Sequence, residues 1–252
     1  MIEQILRFDS TDGHGIYGKL RHAHPQEKSD KLILHIHGMT HSMNHMLEVI
    51  SADYFTAQGY DHYRINLYGR EKDARNITQS SISTHLDDIS RALAYFQDRY
   101  EHIYITAHSL GALCMLILNP PNIKAMSLWD PSTDVSHFWD VTDALTHMPD
   151  AQAYQMDYGN VFLIGEQMVD EIKTYTDAEC LRRAADITTP VQFIIPTQSI
   201  FLASPHAAPK NYKTAFGGPF TLTQIDKANH TFSDIGNQRA LLNKTLGWLQ
   251  QH

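Results

Sequence analysis

Three short runs in the chain hold side chains that together could carry out acyl transfer. Ala107-His108-Ser109-Leu110-Gly111 matches the G-x-S-x-G nucleophile-elbow pattern, with alanine in the first small position. The chemistry needs a serine pinned at a sharp strand-to-helix turn, its Oγ above the sheet and the next N–H at a helix N-terminus, where partial positive charge favours a developing anion. A serine there could instead only cap its helix. Its placement between a β-branched run (103–107) and an Ala/Leu run (110–118) favours the nucleophile. His37-Gly38-Met39-Thr40 ends another β-rich run and could turn the backbone so that the Met39 N–H joins that of Leu110 as an oxyanion hole; otherwise Gly38 serves an ordinary turn. Asn229-His230-Thr231-Phe232 follows the last predicted strand and offers His230 as general base from near the far end of the chain.

The elements that must position these groups alternate. Residues 2–8 and 16–21 read as a hairpin around Asp12-Gly13-His14-Gly15, residues 32–36 and 61–67 as strands, and 44–58 as a helix stopped by Gly59. From 84 to 100, Leu86, Ile89, Leu93, Phe96 and Tyr100 recur by threes and fours, which predicts a helix with one apolar stripe. Strands are expected at 103–107, 125–129, 191–195 and 222–225, helices at 110–118 and 237–250. Repeated β-then-α units imply a mostly parallel sheet with helices on both faces, an α/β fold in one domain over 1–252. Residues 131–189 break the rhythm and are aromatic, which predicts an inserted lid.

Composition narrows the function. Hydrophobic residues make up 42% of the 252, enough for a sizeable core. Lys+Arg of 20 against Asp+Glu of 28 leaves a net charge of -8, the wrong sign for binding nucleic acid or anionic lipid through charge. No export signal and no run of about 20 apolar residues is visible, so no membrane insertion is expected. Two cysteines, Cys114 and Cys180, make no disulfide framework, and a reducing cytoplasm is the expected location.

The order of these motifs resembles the α/β-hydrolases, in particular the small-lid esterase, acylglycerol lipase and serine aminopeptidase group. The resemblance rests on His37-Gly38, Asn66-Leu67-Tyr68-Gly69-Arg70, Ala-His-Ser-Leu-Gly and Ala-Asn-His-Thr-Phe, and spans essentially the whole chain. It implies a Ser-His-acid triad and no cofactor. One departure stands out. Relatives usually place the acid after the strand preceding the last, yet Pro196-Thr197-Gln198-Ser199-Ile200 holds no carboxylate. Asp130, after Ala125-Met126-Ser127-Leu128-Trp129, is the nearest substitute; its competing use is as a turn residue in Asp-Pro-Ser.

The expected activity is hydrolysis of a small or medium acyl or aryl carboxylic ester, a small-molecule partner, with His37, Gly38, His108, Phe138 and Phe162 as candidate lining of the substrate site. Amide or thioester hydrolysis on the same fold, a Ser-His dyad, and a catalytically silent ligand binder are the alternatives. His35, His37, His41 and His45 are dense, but the pattern of binuclear zinc hydrolases would need Asp and His where Met39 and Thr40 stand, so no catalytic metal is expected; His37 is assigned to the oxyanion turn and the other rings to the pocket mouth or rim. Glu166, Asp170 and Glu171 read as the solvated face of a lid helix, and Cys114 as a buried helix residue.

Overall fold

Alternation along single strands sets the layering. In the computed structural model, which describes residues 3–24, 29–133, 135, 145–157, 161–199 and 209–252, strand β3 (Lys31–Ile36) sends Leu32, Leu34 and Ile36 into one apolar cluster and Ile33 into another. A strand covered on both faces is what a parallel sheet between helical layers requires. The sheet has eight strands: β1 (Glu3–Asp9), β2 (Gly15–Arg21), β4 (Asp61–Asn66), β3, β5 (His102–His108), β6 (Met126–Trp129), β10 (Val191–Gln198) and β11 (Phe220–Asn229), in that spatial order. Pairings β1–β2 and β2–β4 are antiparallel; every pairing from β4 through β3, β5, β6 and β10 to β11 is parallel.

One face packs against α2 (Ile82–Gln97) and α3 (Leu110–Leu118), the other against α1 (Met46–Thr56) and α6 (Ile235–Leu249). The stripe predicted over 84–100 is borne out in α2, where Ile89, Leu93 and Phe96 are buried, but the helix starts earlier because Ser81 accepts from the Thr84 N–H in a capping box. Strand β11 runs well beyond the expected 222–225. It is an edge strand, and its exposed Gln224, Asp226, Lys227 and Asn229 interrupt the apolar run by which the sequence marks a strand.

Between β6 and β10, which are neighbours in the sheet, the chain inserts a separate antiparallel sheet of β7 (Leu145–Met148), β8 (Ala153–Asp157) and β9 (Val161–Gly165), then α4 (Glu166–Ile172) and α5 (Asp177–Ala185). Met168, Val169 and Ile172 of α4 and Cys180 and Ala184 of α5 join the core cluster beneath α2 and α3. Glu171 does more than face solvent: its carboxylate accepts from the Ser83 N–H and Oγ–H, each at 2.7 Å, in the first turn of α2. Glu166 contacts His147 at 2.6 Å. Both cysteines are buried, and burial pushes the Cys114 thiol up to about 12. Among the described residues no helix is long and apolar enough to cross a membrane.

The Glu171 contact satisfies an otherwise open donor at a helix N-terminus, where a negative charge is favoured. Glu171→Ala is expected to lower the unfolding free energy by about 1 kcal/mol, read as a shift in urea midpoint.

Candidate active site

Five adjacent parallel strands end at the same edge of the sheet, and each delivers one group to it. β3 leads into His37-Gly38-Met39, β5 into Ser109, β6 into Asp130, β10 into Ser199 and β11 into His230. This is the edge at which open α/β sheets bind ligands.

Ser109 sits between β5 and α3 with φ of 53° and ψ of -118°, a backbone region that a side chain other than glycine occupies at a cost of about 1–3 kcal/mol. The turn is held by its N–H donating to the Trp129 carbonyl at 2.9 Å and by α3 beginning immediately. The helix can start that close to the sheet because residue 111 is glycine: a Cβ there would lie 2.6 Å from the His37 carbonyl oxygen.

Ser109 Oγ is 3.0 Å from His230 Nε2, and His230 Nδ1 is 2.6 Å from Asp130 Oδ2. One tautomer suits both contacts, with Nδ1–H donating to the carboxylate and Nε2 accepting from the serine hydroxyl. Asp130 and Ser109 are buried, whereas His230 is partly exposed. Two further hydroxyls, on residues that carry no local signal in the sequence, complete the arrangement. Ser199 donates to Asp130 Oδ2 at 2.6 Å, from the strand end where a carboxylate was looked for. Ser132 lies with its Oγ 3.1 Å from Ser109 Oγ; since the Ser109 proton faces His230, Ser132 donates.

His37 and His108 brace this frame from behind, each only 1% exposed. His37 Nδ1–H donates to the Gly38 carbonyl at 2.8 Å, and its Nε2 accepts from the Leu67 N–H at 3.1 Å. The same carbonyl accepts from the His41 N–H at 3.2 Å. In a trans peptide the N–H points opposite to the C=O, so anchoring the Gly38 oxygen turns the Met39 N–H the other way. Gly38 is in turn pressed on Ser109, where a Cβ would lie 3.0 Å from Ser109 Cβ. Leu110 N–H, first in α3, has no acceptor within its helix. His108 Nε2–H donates to the His230 carbonyl at 2.9 Å and so fixes the backbone of that residue. Phe162 lies on β9, partly buried against the main core. Phe138 falls outside the described residues.

Residues 27–148 match the model of a family described as serine aminopeptidase, S33. No curated protein matches the sequence. The solved structure of Est1E from Butyrivibrio proteoclasticus with ferulic acid bound superposes with a TM-score of 0.79 at 18% identity, over 97% of this chain and 99% of that one. An esterase domain from Rhodothermus marinus gives 0.74 at 17% identity, over 100% and 99%, and mouse alpha/beta hydrolase domain-containing protein 10 gives 0.74 at 14%, over 98% and 99%. The chain has the α/β-hydrolase fold.

The fold keeps several imidazoles in its interior. His35 is fully buried on β3 rather than at a pocket rim, stacked between His62 and Trp129, because strand alternation turns it toward the α1 face. Burial lowers the pKa of His35, His62 and His108, takes His37 to about 4 and takes His85 to about 3. Both ring nitrogens of His85 are without a hydrogen bond among the described residues. In the unfolded chain such rings take up a proton near pH 6.5, in the folded protein only well below it. Their stabilisation is therefore complete above pH 6.5 and is lost as the pH falls toward 4, by roughly 3 kcal/mol for His37. Urea midpoints measured from pH 7.5 down to 4 are expected to fall steeply, and His85→Leu to flatten that fall.

Proposed function

We propose that this protein cleaves a carboxylic ester of a small or medium acyl or aryl substrate through an acyl-enzyme. The observation that carries the reading is the unbroken hydrogen-bond chain from Ser109 Oγ through the His230 ring to Asp130. In this mechanism Ser109 Oγ attacks the ester carbonyl while His230 Nε2 takes its proton. Asp130 holds the ring in the tautomer that leaves Nε2 free to accept, and stabilises the imidazolium that forms. The tetrahedral oxyanion is held by the N–H groups of Leu110 and Met39, each such donor being worth ~10²–10³ in rate. Collapse expels the alcohol, which takes the proton from His230. A water molecule activated by the same ring then releases the acid. Ser132 donates to Ser109 Oγ and keeps the nucleophile's lone pairs ordered before attack, and Ser199 shares the charge on Asp130. The inserted segment 131–189 acts as the lid that supplies acyl-group contacts. Ferulic acid, bound in the Est1E structure, is the kind of aryl acyl group this reading assigns.

A second reading is amide hydrolysis, favoured by the description of the matching family as a serine aminopeptidase. The nucleophile and oxyanion donors are the same, so only the leaving group separates the two.

The test is hydrolysis of p-nitrophenyl esters of graded acyl length beside p-nitroanilides, together with labelling by a fluorophosphonate. Ester turnover is expected to exceed anilide turnover, and Ser109 is expected to take the label. Ser109→Ala and His230→Ala should each lose at least ~10³ in kcat, and Asp130→Asn roughly 10⁴, the loss seen when a triad acid becomes an amide. Full activity in Ser109→Ala would refute the mechanism, and an unlabelled wild type that still retains a small ligand would make the chain a binder.

A further inference from the structure

A second cluster of chemistry-bearing side chains lies behind the oxyanion turn and plays no part in the mechanism above. Its centre is Glu48, on α1, with 0% of its surface exposed. Its two carboxylate oxygens are taken by two imidazoles, Oε1 by His41 Nδ1 at 3.0 Å and Oε2 by His45 Nδ1 at 2.9 Å. The two rings stack with centroids 3.6 Å apart. The donor atoms of His41, His45 and Glu48 all lie within 4.8 Å of one another. From the sheet side the fully buried His35 turns Nε2 toward Glu48 Oε1 at 3.9 Å, and that nitrogen has no hydrogen bond among the described residues.

A buried carboxylate without a cation is costly. Among the described residues the ion-pairing partners of Glu48 are these three imidazoles, with no lysine or arginine. They hold its pKa well below the usual range against the effect of burial, so the group is an anion. Imidazole is ordinarily neutral at neutral pH and then offers a lone pair to a metal. Two imidazole nitrogens and one carboxylate oxygen are a zinc ligand set, and nitrogen donors disfavour calcium and magnesium, which prefer oxygen.

We propose that His41 Nδ1, His45 Nδ1 and one oxygen of Glu48 bind a divalent transition-metal ion, zinc before others, with water in the remaining position. His45 is 38% exposed and gives the ion and its water access from solvent. His35 supports the carboxylate from inside. The Thr106 hydroxyl, 2.9 Å from its Nδ1, donates there, which leaves the His35 proton on Nε2 facing Glu48. The site shares no ligand with Ser109, His230 or Asp130. It is nevertheless close to them, since the His41 ring stacks 5.3 Å from that of His108, which holds the His230 carbonyl.

The experiment is calorimetric titration of the chelator-treated full chain with zinc chloride, with thermal melts taken with and without zinc. One zinc per chain and a zinc-dependent rise in Tm are expected. His45→Ala also takes a partner from the buried Glu48 carboxylate and is expected to lower the metal-free Tm; it should in addition lose at least about tenfold in zinc affinity and lose the zinc-dependent rise, whereas a merely structural role for His45 would leave that rise intact. Cobalt in place of zinc should give visible absorption bands in the wild type that His41→Ala and His45→Ala lack. Ser109→Ala should bind zinc as the wild type does, so failure of the metal site and failure of the esterase mechanism are separately readable. No binding at about 100 μM free zinc, or equal binding by wild type, His45→Ala and Glu48→Gln, would overturn the proposal; the second result would place the metal on others of the sixteen histidines.

Discussion

The parallel register of β3, β5, β6, β10 and β11 is the constraint on which the candidate site depends. Parallel strands share a direction, so their C-terminal ends meet at one edge, and groups far apart in the chain arrive there together. Ser109 and His230 are 121 residues apart in sequence and 3.0 Å apart in space. Asp130 N–H donates to Ile194 O and Ser109 N–H to Trp129 O, each at 2.9 Å. The ladder hydrogen bonds thus continue into the loops, and the site is an extension of the sheet rather than a set of free loops. Two dense apolar clusters, one on each face, fix the sheet against which those distances are set.

Rigid delivery brings strain with it. Four loops at this edge each contain a residue other than glycine in the left-handed region: Thr40, Ser109, Asp130 and Phe232. Such residues persist where the surroundings over-determine them, and here those surroundings are visible. Ser109 is held by Trp129 and α3, Asp130 by the carbonyl of Ile194, and the turn at Thr40 by the His37 and His41 contacts to the Gly38 carbonyl. Among the buried imidazoles, His35, His37 and His108 contribute as neutral groups, each giving a donor or acceptor where a charged side chain would be too costly to bury. That choice links the integrity of the frame to pH.

Ser109 and His230 were legible in the sequence because local pattern suffices for them: a β-branched run, a small-Ser-small turn and an apolar helix for one, a late loop after the last strand for the other. The mostly parallel sheet and its helical layers followed from alternation and period, whereas the order of the strands comes from the fold alone. Asp130 could be picked out by its strand end alone, and only the fold brings its carboxylate to the ring. Ser132 and Ser199 carried no signal, since a hydroxyl in a loop is common and its use here depends on three strands converging. Glu48 was silent for a similar reason: it follows His45 at the start of an ordinary helix, and what distinguishes it is the inward aim of α1 onto β3. Glu171 looked like a solvent-facing acid because the first turn of α2, which it caps, lies 88 residues away in the chain.

The neighbouring ends of β6 and β10 have a consequence for how sites built on this fold diversify. Ser199 and His230 contact the same oxygen of Asp130, each at 2.6 Å. The base is therefore within reach of either strand, and the duty of orienting it is not bound to one position in the chain. A lineage could pass through a form carrying acids on both strands and shed either one, so the acid's address migrates while the nucleophile and base stay where they are.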